Sequence, residues 1–448
     1  MISTDIVPDS ERSGFSSAPT PCLRLAQLTF LLFVLSLAWM KTPVNLRGLG
    51  AIPADFIFLL ALSLWFLALW RKEARFRFHK AYWLLVFYFA AMALSAFYSD
   101  DPQRSAFKLL TQAYLLAFPV LTFNLVRTSA DLRRLFGWWV AGAAAVASVG
   151  VATLLLFPLL GPDSILAWTL HNFGTLPPGP YPRLELSFSF PSTLANYLGA
   201  TLMLLLIGYR LCWFSRSTTI VIGAAIVLSA FFALTPSFGS ILFSLGGWFW
   251  YLNRDRSPKL ARAVLLTGCA MPIAAVLLAS ATPIMHPTAP FLFHVPGLDV
   301  PLAPSVRLLA WMEAAENFLA SPIVGIGIGL EAVDVHYEAS GCSVGCVTDA
   351  HNTFLNFGVQ TGLVGLAASV AIIAFAVRQM VRAASKPHEA LLFGLAIAWI
   401  CGFVMMGLVG SFEDARHLWV LFGLLLCANA AACEPMGQQD ELRLRPGR

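Results

Sequence analysis

Charge is scarce in this 448-residue sequence. Asp, Glu, Lys and Arg make up 12% of it, while 58% is hydrophobic and the mean hydropathy is +0.74. A soluble domain carries about twice that charged share and has under half its residues apolar. The chain could not cover its own surface with polar groups, which excludes a cytosolic enzyme, a disordered scaffold and a nucleic-acid-binding module. Paired-Cys zinc spacing, an HExxH motif, a P-loop and a nucleophile elbow are all missing. So are internal repeats and the inverted halves common in transporters. The net charge of +5 is spread as short basic clusters between apolar runs and forms no stripe.

What remains is a succession of apolar runs, and the useful ruler is bilayer thickness, about 20 residues per spanning helix. Twelve runs qualify: 25–40, 52–70, 81–99, 106–126, 135–157, 193–211, 218–235, 238–252, 260–280, 359–377, 390–410 and 418–432. The seventh and eighth are parted only by Pro236 and Ser237. Residues before about Thr20 read as a polar, Ser/Pro-rich lead. No small-residue cleavage site follows the first run, so it reads as a membrane helix and not a removed signal peptide. With the N-terminus inside, roughly 22 of the 29 basic residues fall on the inner side. Only Lys41, Arg47, Arg104, Lys108, Arg183, Arg307 and Arg416 fall outside, the asymmetry that membrane insertion demands.

The expectation is an all-α polytopic membrane protein with about 12 transmembrane helices. It divides into an inner N-terminal segment (1–24), helices 1–9 (25–280), a large outer loop before the tenth helix (281–358), helices 10–12 (359–432) and an inner tail (433–448). A loop of about 80 residues is far longer than a connection needs, and such loops tend to be functional. Within it, 306–319 has helical apolar spacing through Leu308, Leu309, Met312, Ala315 and Leu319, which predicts an amphipathic helix near the outer interface. Cys212, Cys269, Cys401, Cys427 and Cys433 sit in or beside apolar runs as small hydrophobes. Cys342 and Cys346, on the oxidising side, could close a small disulfide loop.

The outer segments hold the chemistry. Arg307 faces seven acids in the long loop and opens the amphipathic helix; it could pair locally with a carboxylate or bind an anionic headgroup through its fork. Arg183, the sole basic residue of its loop, could be a snorkelling interface residue or the second member of a diphosphate-binding pair. Of the loop histidines, His286 and His294 lie among prolines and His336 in a polar stretch. His351 begins His351-Asn352-Thr353-Phe354-Leu355, where polar loop gives way to the tenth helix. There it could cap the helix, or act as general base, since histidine as a residue type titrates near neutral pH. A transporter or lipid flippase would instead put ionisable groups at mid-membrane, and the runs are nearly free of them.

In order, these segments read Arg307-x-x-x-Trp311, Ser321-Pro322-x-x-Gly325-x-Gly327-x-Gly329, His351-Asn352-x-Phe354-Leu355 and Gly362-x-x-Gly365-Leu366, preceded by Arg183 with Phe188-x-x-Pro191 and Leu194-Ala195. About a quarter of the chain thus resembles the O-antigen ligase/polymerase superfamily of bacterial envelope glycosyltransferases. Ser192 and Gln360 depart from residues common in relatives, Asn and Glu respectively. The resemblance implies an enzyme of the bacterial inner membrane with its active site on the periplasmic face. It would move a glycan from undecaprenyl diphosphate to a lipid A–core acceptor, with no cofactor, no metal and no nucleic acid. His351 would be the general base, and Arg307 and Arg183 would hold the diphosphate, Arg307 also stabilising the leaving group. The polymerase of the same superfamily is the alternative, and a lipid-linked glycan transporter the more distant one. Arg104, Lys108 and Arg416 could add to the diphosphate site or simply anchor the interface.

Overall fold

The structure is a computed structural model. It describes residues 20–41, 44–46, 49–171, 183–283, 293–294, 301–339, 343–386 and 389–431. Among these, thirteen α-helices account for nearly all regular structure: α1 (Pro21–Ser36), α2 (Pro53–Trp70), α3 (Tyr82–Phe97), α4 (Pro102–Leu125), α5 (Ser129–Leu160), α6 (Pro191–Arg210), α7 (Arg216–Phe231), α8 (Phe238–Asn253), α9 (Pro258–Ser280), α10 (Val306–Ala320), α11 (Thr353–Ala384), α12 (Ala390–Ile400) and α13 (Arg416–Ala431). Five begin on proline, whose fixed φ and missing N–H suit the first helical position. Asp101 also caps one of these, α4, and Thr128, Ser215, Ser305 and Asn352 cap others, all with side-chain oxygens.

Each of the twelve apolar runs coincides with a helix, and α10 is the extra one inside the long loop. Seven helical segments are long and apolar enough to cross a membrane by length and composition, while α1, α3, α7 and α13 are apolar but shorter. The chain is an all-α, multi-pass membrane protein. Its burial pattern agrees: Phe56, Leu60 and Phe66 of α2 and Leu277 and Leu278 of α9 are exposed, as lipid-facing residues are. By contrast α6 and α12 are buried around most of their circumference and form the centre, with α12 packed on α6, α8, α11 and α13. Pro236 and Ser237 do separate two helices, α7 packing on α5 and α6 and α8 chiefly on α9.

Two boundaries differ from the sequence expectation. The tenth run was placed at 359–377, but α11 starts at Thr353, because Asn352 caps it through Phe354 N at 3.0 Å and Leu355 N at 3.2 Å. The eleventh run breaks at Ile400 into a π-turn over Cys401–Met405. There the buried Asn196 side chain supplies a donor to the Gly402 carbonyl at 2.9 Å.

The long loop is more structured than an interfacial helix alone. It includes a three-stranded patch of β3 (Ala281–Pro283), β4 (Phe293–His294) and β5 (Pro301–Pro304) in the order β3-β5-β4. It also includes an antiparallel ribbon of β6 (Val335–Ala339) and β7 (Ser343–Val347). A small core of Ala310, Ala314, Val333, Ala350 and Val359 ties α10, this ribbon and the head of α11 together. The face of α10 that packs is therefore Val306/Ala310/Ala314/Phe318. The predicted stripe of Leu309, Met312 and Leu319 faces outward, since small alanines admit the close backbone approach that large side chains prevent. The Cys342–Cys346 pairing and His286 lie outside the described residues.

The glycine-rich run 321–330 threads against the kink of α11. Gly362 interrupts that helix at φ 63°, ψ −163°, and a Cβ there would overlap the Ile323 carbonyl. Gly325, at φ 74°, abuts the Gln360 carbonyl in the same way. The amide groups of this run are used internally: Ile326 N to Val359 O at 3.0 Å, Gly327 N to Gln360 O at 3.1 Å, and Gly329 N to the Gln360 side chain at 3.1 Å. It is a seat for the site and not an anion-binding loop, and Gln360 is part of its fastening.

Candidate functional site

Arg307 is fixed by a hinge of backbone and hydroxyl contacts. Ser305 caps α10 by accepting from Leu308 N at 3.2 Å, while its hydroxyl donates to Ala279 O at 2.5 Å and its amide to Ser280 O at 3.1 Å. The last turn of α9 and the first of α10 are thereby joined, and Arg307 sits two residues past the joint. Its side chain is largely buried, and its Nη1 is sealed from solvent with no hydrogen-bond partner among the described residues. A buried guanidinium with an unused donor is costly until an anion meets it.

Arg183 reaches its place by a different route. Its segment is stapled by His171 N to Arg183 O at 2.8 Å, by Leu184 N to Phe232 O at 2.9 Å, and by Arg183 Nε to Ala233 O at 3.2 Å, which sets it against the end of α7. Next to it Glu185 takes Lys41 Nζ at 2.6 Å and His171 Nδ1 at 2.6 Å. Burial opposes ionisation of that carboxyl, but the hydrogen bonds from His171 and Lys41 outweigh it and hold Glu185 below the usual carboxylate range. Arg183 and Arg307 lie within electrostatic reach of each other. Burial lowers the hold of Arg307 on its proton, the Arg183 charge lowers it further, and the Asp349 carboxylate opposes both. Arg307 thus lies in the field of one other cation, Arg183, and of one carboxylate, Asp349.

His351 belongs to that carboxylate. Asp349 Oδ1 accepts from His351 N at 2.6 Å, from His351 Nδ1 at 3.1 Å and from Ser411 Oγ at 2.5 Å, and its Oδ2 accepts from Asn356 at 2.8 Å. Burial raises the Asp349 carboxyl, but the contacts with His351 and Ser411 prevail and hold it below its ordinary range. An ionised carboxylate only accepts, so the proton shared with His351 sits on Nδ1, and the neutral form of the ring has its lone pair on Nε2. His351 is held at φ 48°, a left-handed conformation unusual outside glycine and frequent at functional sites. That bend lets both its amide and its ring face one carboxylate while Asn352 caps α11. Asn352 also donates to Leu408 O at 3.1 Å, so its side chain is committed to capping and packing.

A second tier of acids lies behind. Asn356 bridges Asp349 to Glu413 Oε1 at 3.1 Å. Glu413 is buried with Oε2 unpartnered among the described residues, and burial together with neighbouring Asp414 and Asp349 pushes its carboxyl up to about 7. Asp414 pairs with Lys108 and accepts from Gln112 Nε2 at 2.5 Å. The other candidate cations are likewise engaged: Arg416 grips Asp55 through Nε at 2.7 Å and Nη2 at 3.0 Å, and Arg104 meets Glu331 at 3.1 Å. Sequence reasoning named His351, Arg307 and Arg183 but missed Asp349 as their link, along with Ser411, Glu413 and Asn356. The signal available was a Ser-x-Glu-Asp cluster in the last outer loop of a chain otherwise poor in charge. Among the described residues no group of three or more His, Cys, Asp or Glu is placed to hold a metal ion.

A family model described as O-antigen ligase, Wzy_C, matches residues 193–370. Those residues are similar to the O-antigen ligase family. The matched region runs from the start of α6 into the middle of α11 and contains Arg307, Asp349 and His351; Arg183 lies just before it and the Glu413–Asp414 pair after it. O-antigen ligase family members are membrane glycosyltransferase-like enzymes acting on lipid-linked glycans, and the match supports activity of the ligase or polymerase type. No curated protein matched the chain.

Proposed function

We propose that this protein transfers a glycan from undecaprenyl diphosphate to a lipid A–core acceptor at the periplasmic face of the bacterial inner membrane. The observation that carries the reading is the Arg183–Arg307–Asp349–His351 grouping. Arg307, with a buried unused donor, feels the charge of Arg183 and that of Asp349, and Asp349 is the carboxylate to which His351 Nδ1 is tied. His351 Nε2 takes the proton from an acceptor hydroxyl as that oxygen attacks the anomeric carbon. The bond from that carbon to the diphosphate oxygen breaks, and Arg307 with Arg183 receives the charge on the departing undecaprenyl diphosphate. Asp349 stabilises the imidazolium formed in the step. A single displacement inverts the anomeric centre, and a diphosphate leaves without a dedicated acid.

The His351 side chain is 44% exposed, enough for an acceptor sugar to approach, whereas Arg307 is recessed, as suits the group that stays with the lipid carrier. The large late loop with its own small core favours a ligase over a polymerase, by providing a second surface for a separate acceptor. The test is to incubate purified protein with undecaprenyl-diphosphate-linked glycan, with and without lipid A–core, in the presence and absence of a chelator. Chelator-insensitive product that requires lipid A–core is expected. Lengthening of the lipid-linked chain without lipid A–core would make it a polymerase, and no transfer in either arm would overturn the reading. His351→Asn is the inactive control, because asparagine tolerates the left-handed backbone at that position.

A further inference from the structure

A groove of about 730 Å³ lies far from this site, between α6 and the α8–α9 pair. Its size falls within the range of about 300–1,000 Å³ typical of ligand pockets. It exists because α9 hugs α8: Gly246 and Gly268 face each other so closely that a Cβ on Gly246 would touch the Val264 carbonyl at 3.0 Å. Having packed on α8, α9 stands off from α6. The resulting cleft is floored by Leu245 and Phe249 and walled by Leu206, Val264 and Met271. Its lining is almost wholly apolar except at one end, where Tyr209 and Arg210 close α6.

That end is basic. Arg210 is exposed, the adjoining turn from α8 into α9 adds Arg254 and Arg256, and the start of α9 adds Lys259 and Arg262. The turn's single carboxylate, Asp255, stands 3.9 Å from Arg254. An apolar cleft ending in a cluster of guanidinium and ammonium groups, on a chain that spans a membrane, fits a lipid with a negatively charged head. We infer that the cleft binds an anionic glycerophospholipid, acyl chains between α6 and α9 and phosphate at Arg210. The glycan donor is a poor fit on geometry. Arg210 is at the opposite end of α6 from the Arg183 side, and a helix of that length is roughly 30 Å long. A head at Arg210 therefore cannot also present a diphosphate to Arg183 and Arg307, an exclusion that rests on the function proposed above.

The experiment is native mass spectrometry of the delipidated full-length protein titrated with phosphatidylglycerol, with phosphatidylcholine of the same chains, and with undecaprenyl phosphate as competitor. A discrete phosphatidylglycerol adduct is expected, at least tenfold tighter than phosphatidylcholine. Arg210→Gln should weaken it about five- to tenfold, and Val264→Trp, which fills the cleft, should abolish it. Equal binding of the neutral lipid, or an adduct unchanged in both variants, would overturn the inference. So would stoichiometric displacement by undecaprenyl phosphate, which would hand the cleft to the substrate lipid. The readout uses no glycan, so it can fail while the glycosyltransferase reading stands, and the reverse.

Discussion

Replacing Asp349 by Asn tests whether this carboxylate acts through His351. The change keeps size and shape, and the amide oxygen can still accept from Ser411. It removes the negative charge 3.1 Å from Nδ1, and the new NH2 group would face the donor of Asn356, now 2.8 Å from Oδ2. A hydrogen bond between charged partners contributes about 1.5–3 kcal/mol. Here the side chains of His351 and Asp349 are 44% and 37% exposed, so solvent screens part of that, and about 1.5–2.5 kcal/mol is the fair range. Because the imidazole becomes charged only as it takes the proton, this energy is lost mainly in the transition state. It corresponds to a fall of roughly 10- to 70-fold in kcat with little change in the KM for the lipid-linked donor. The assay is steady-state transfer to lipid A–core by purified protein, with folding checked by thermal melting. A variant within threefold of wild type, or one damaged in donor KM and not in kcat, would refute the role.

Other outcomes follow from the same coordinates. Arg307→Lys should lose at least tenfold in transfer, since an ammonium cannot reproduce a forked contact; a fully active Lys variant would show that charge alone suffices. Glu413 has a folded-state carboxyl raised to about 7 from an ordinary 4.5, so its stabilising contribution is complete below about 4.5 and is lost as pH rises through 7. Glu413→Gln should therefore flatten the decline in melting temperature between pH 4.5 and 8 relative to wild type, and identical profiles would reject that assignment. Gly362→Ala should destabilise by about 2 kcal/mol or more, seen as lost folded yield, because a Cβ at positive φ would overlap Ile323. Gly137→Ala, with no atom within 4 Å of the added Cβ, should melt like wild type.

The helices were legible because a bilayer imposes a minimum apolar run, and that demand leaves a plain mark on composition. The head of α11 was not, because Asn352, Thr353 and Asn356 are polar for local reasons, one capping and the others bonding across to the 410–413 segment. The packed face of α10 was not marked in the sequence, because hydrophobicity picks out its large residues, whereas that face is built on Ala310 and Ala314. Arg183, Arg307 and His351 could be picked out as isolated polar residues at membrane boundaries. The link of His351 and Arg307 to Asp349 could not, because that residue was one acid among several in the loop and Ser411 lies some 60 residues away in the chain.

The joint at Ser305 makes the position of Arg307 depend on the inclination of a transmembrane rod. Helix α9 is 23 residues long, packs mainly on α8 and ends where α10 begins. Spanning helices adjust to thicker or thinner membranes by leaning. When α9 leans, Arg307 moves with it, while Arg183 stays with the end of α7. A change in the α9 inclination relative to α7 would therefore alter the separation between the two guanidinium groups.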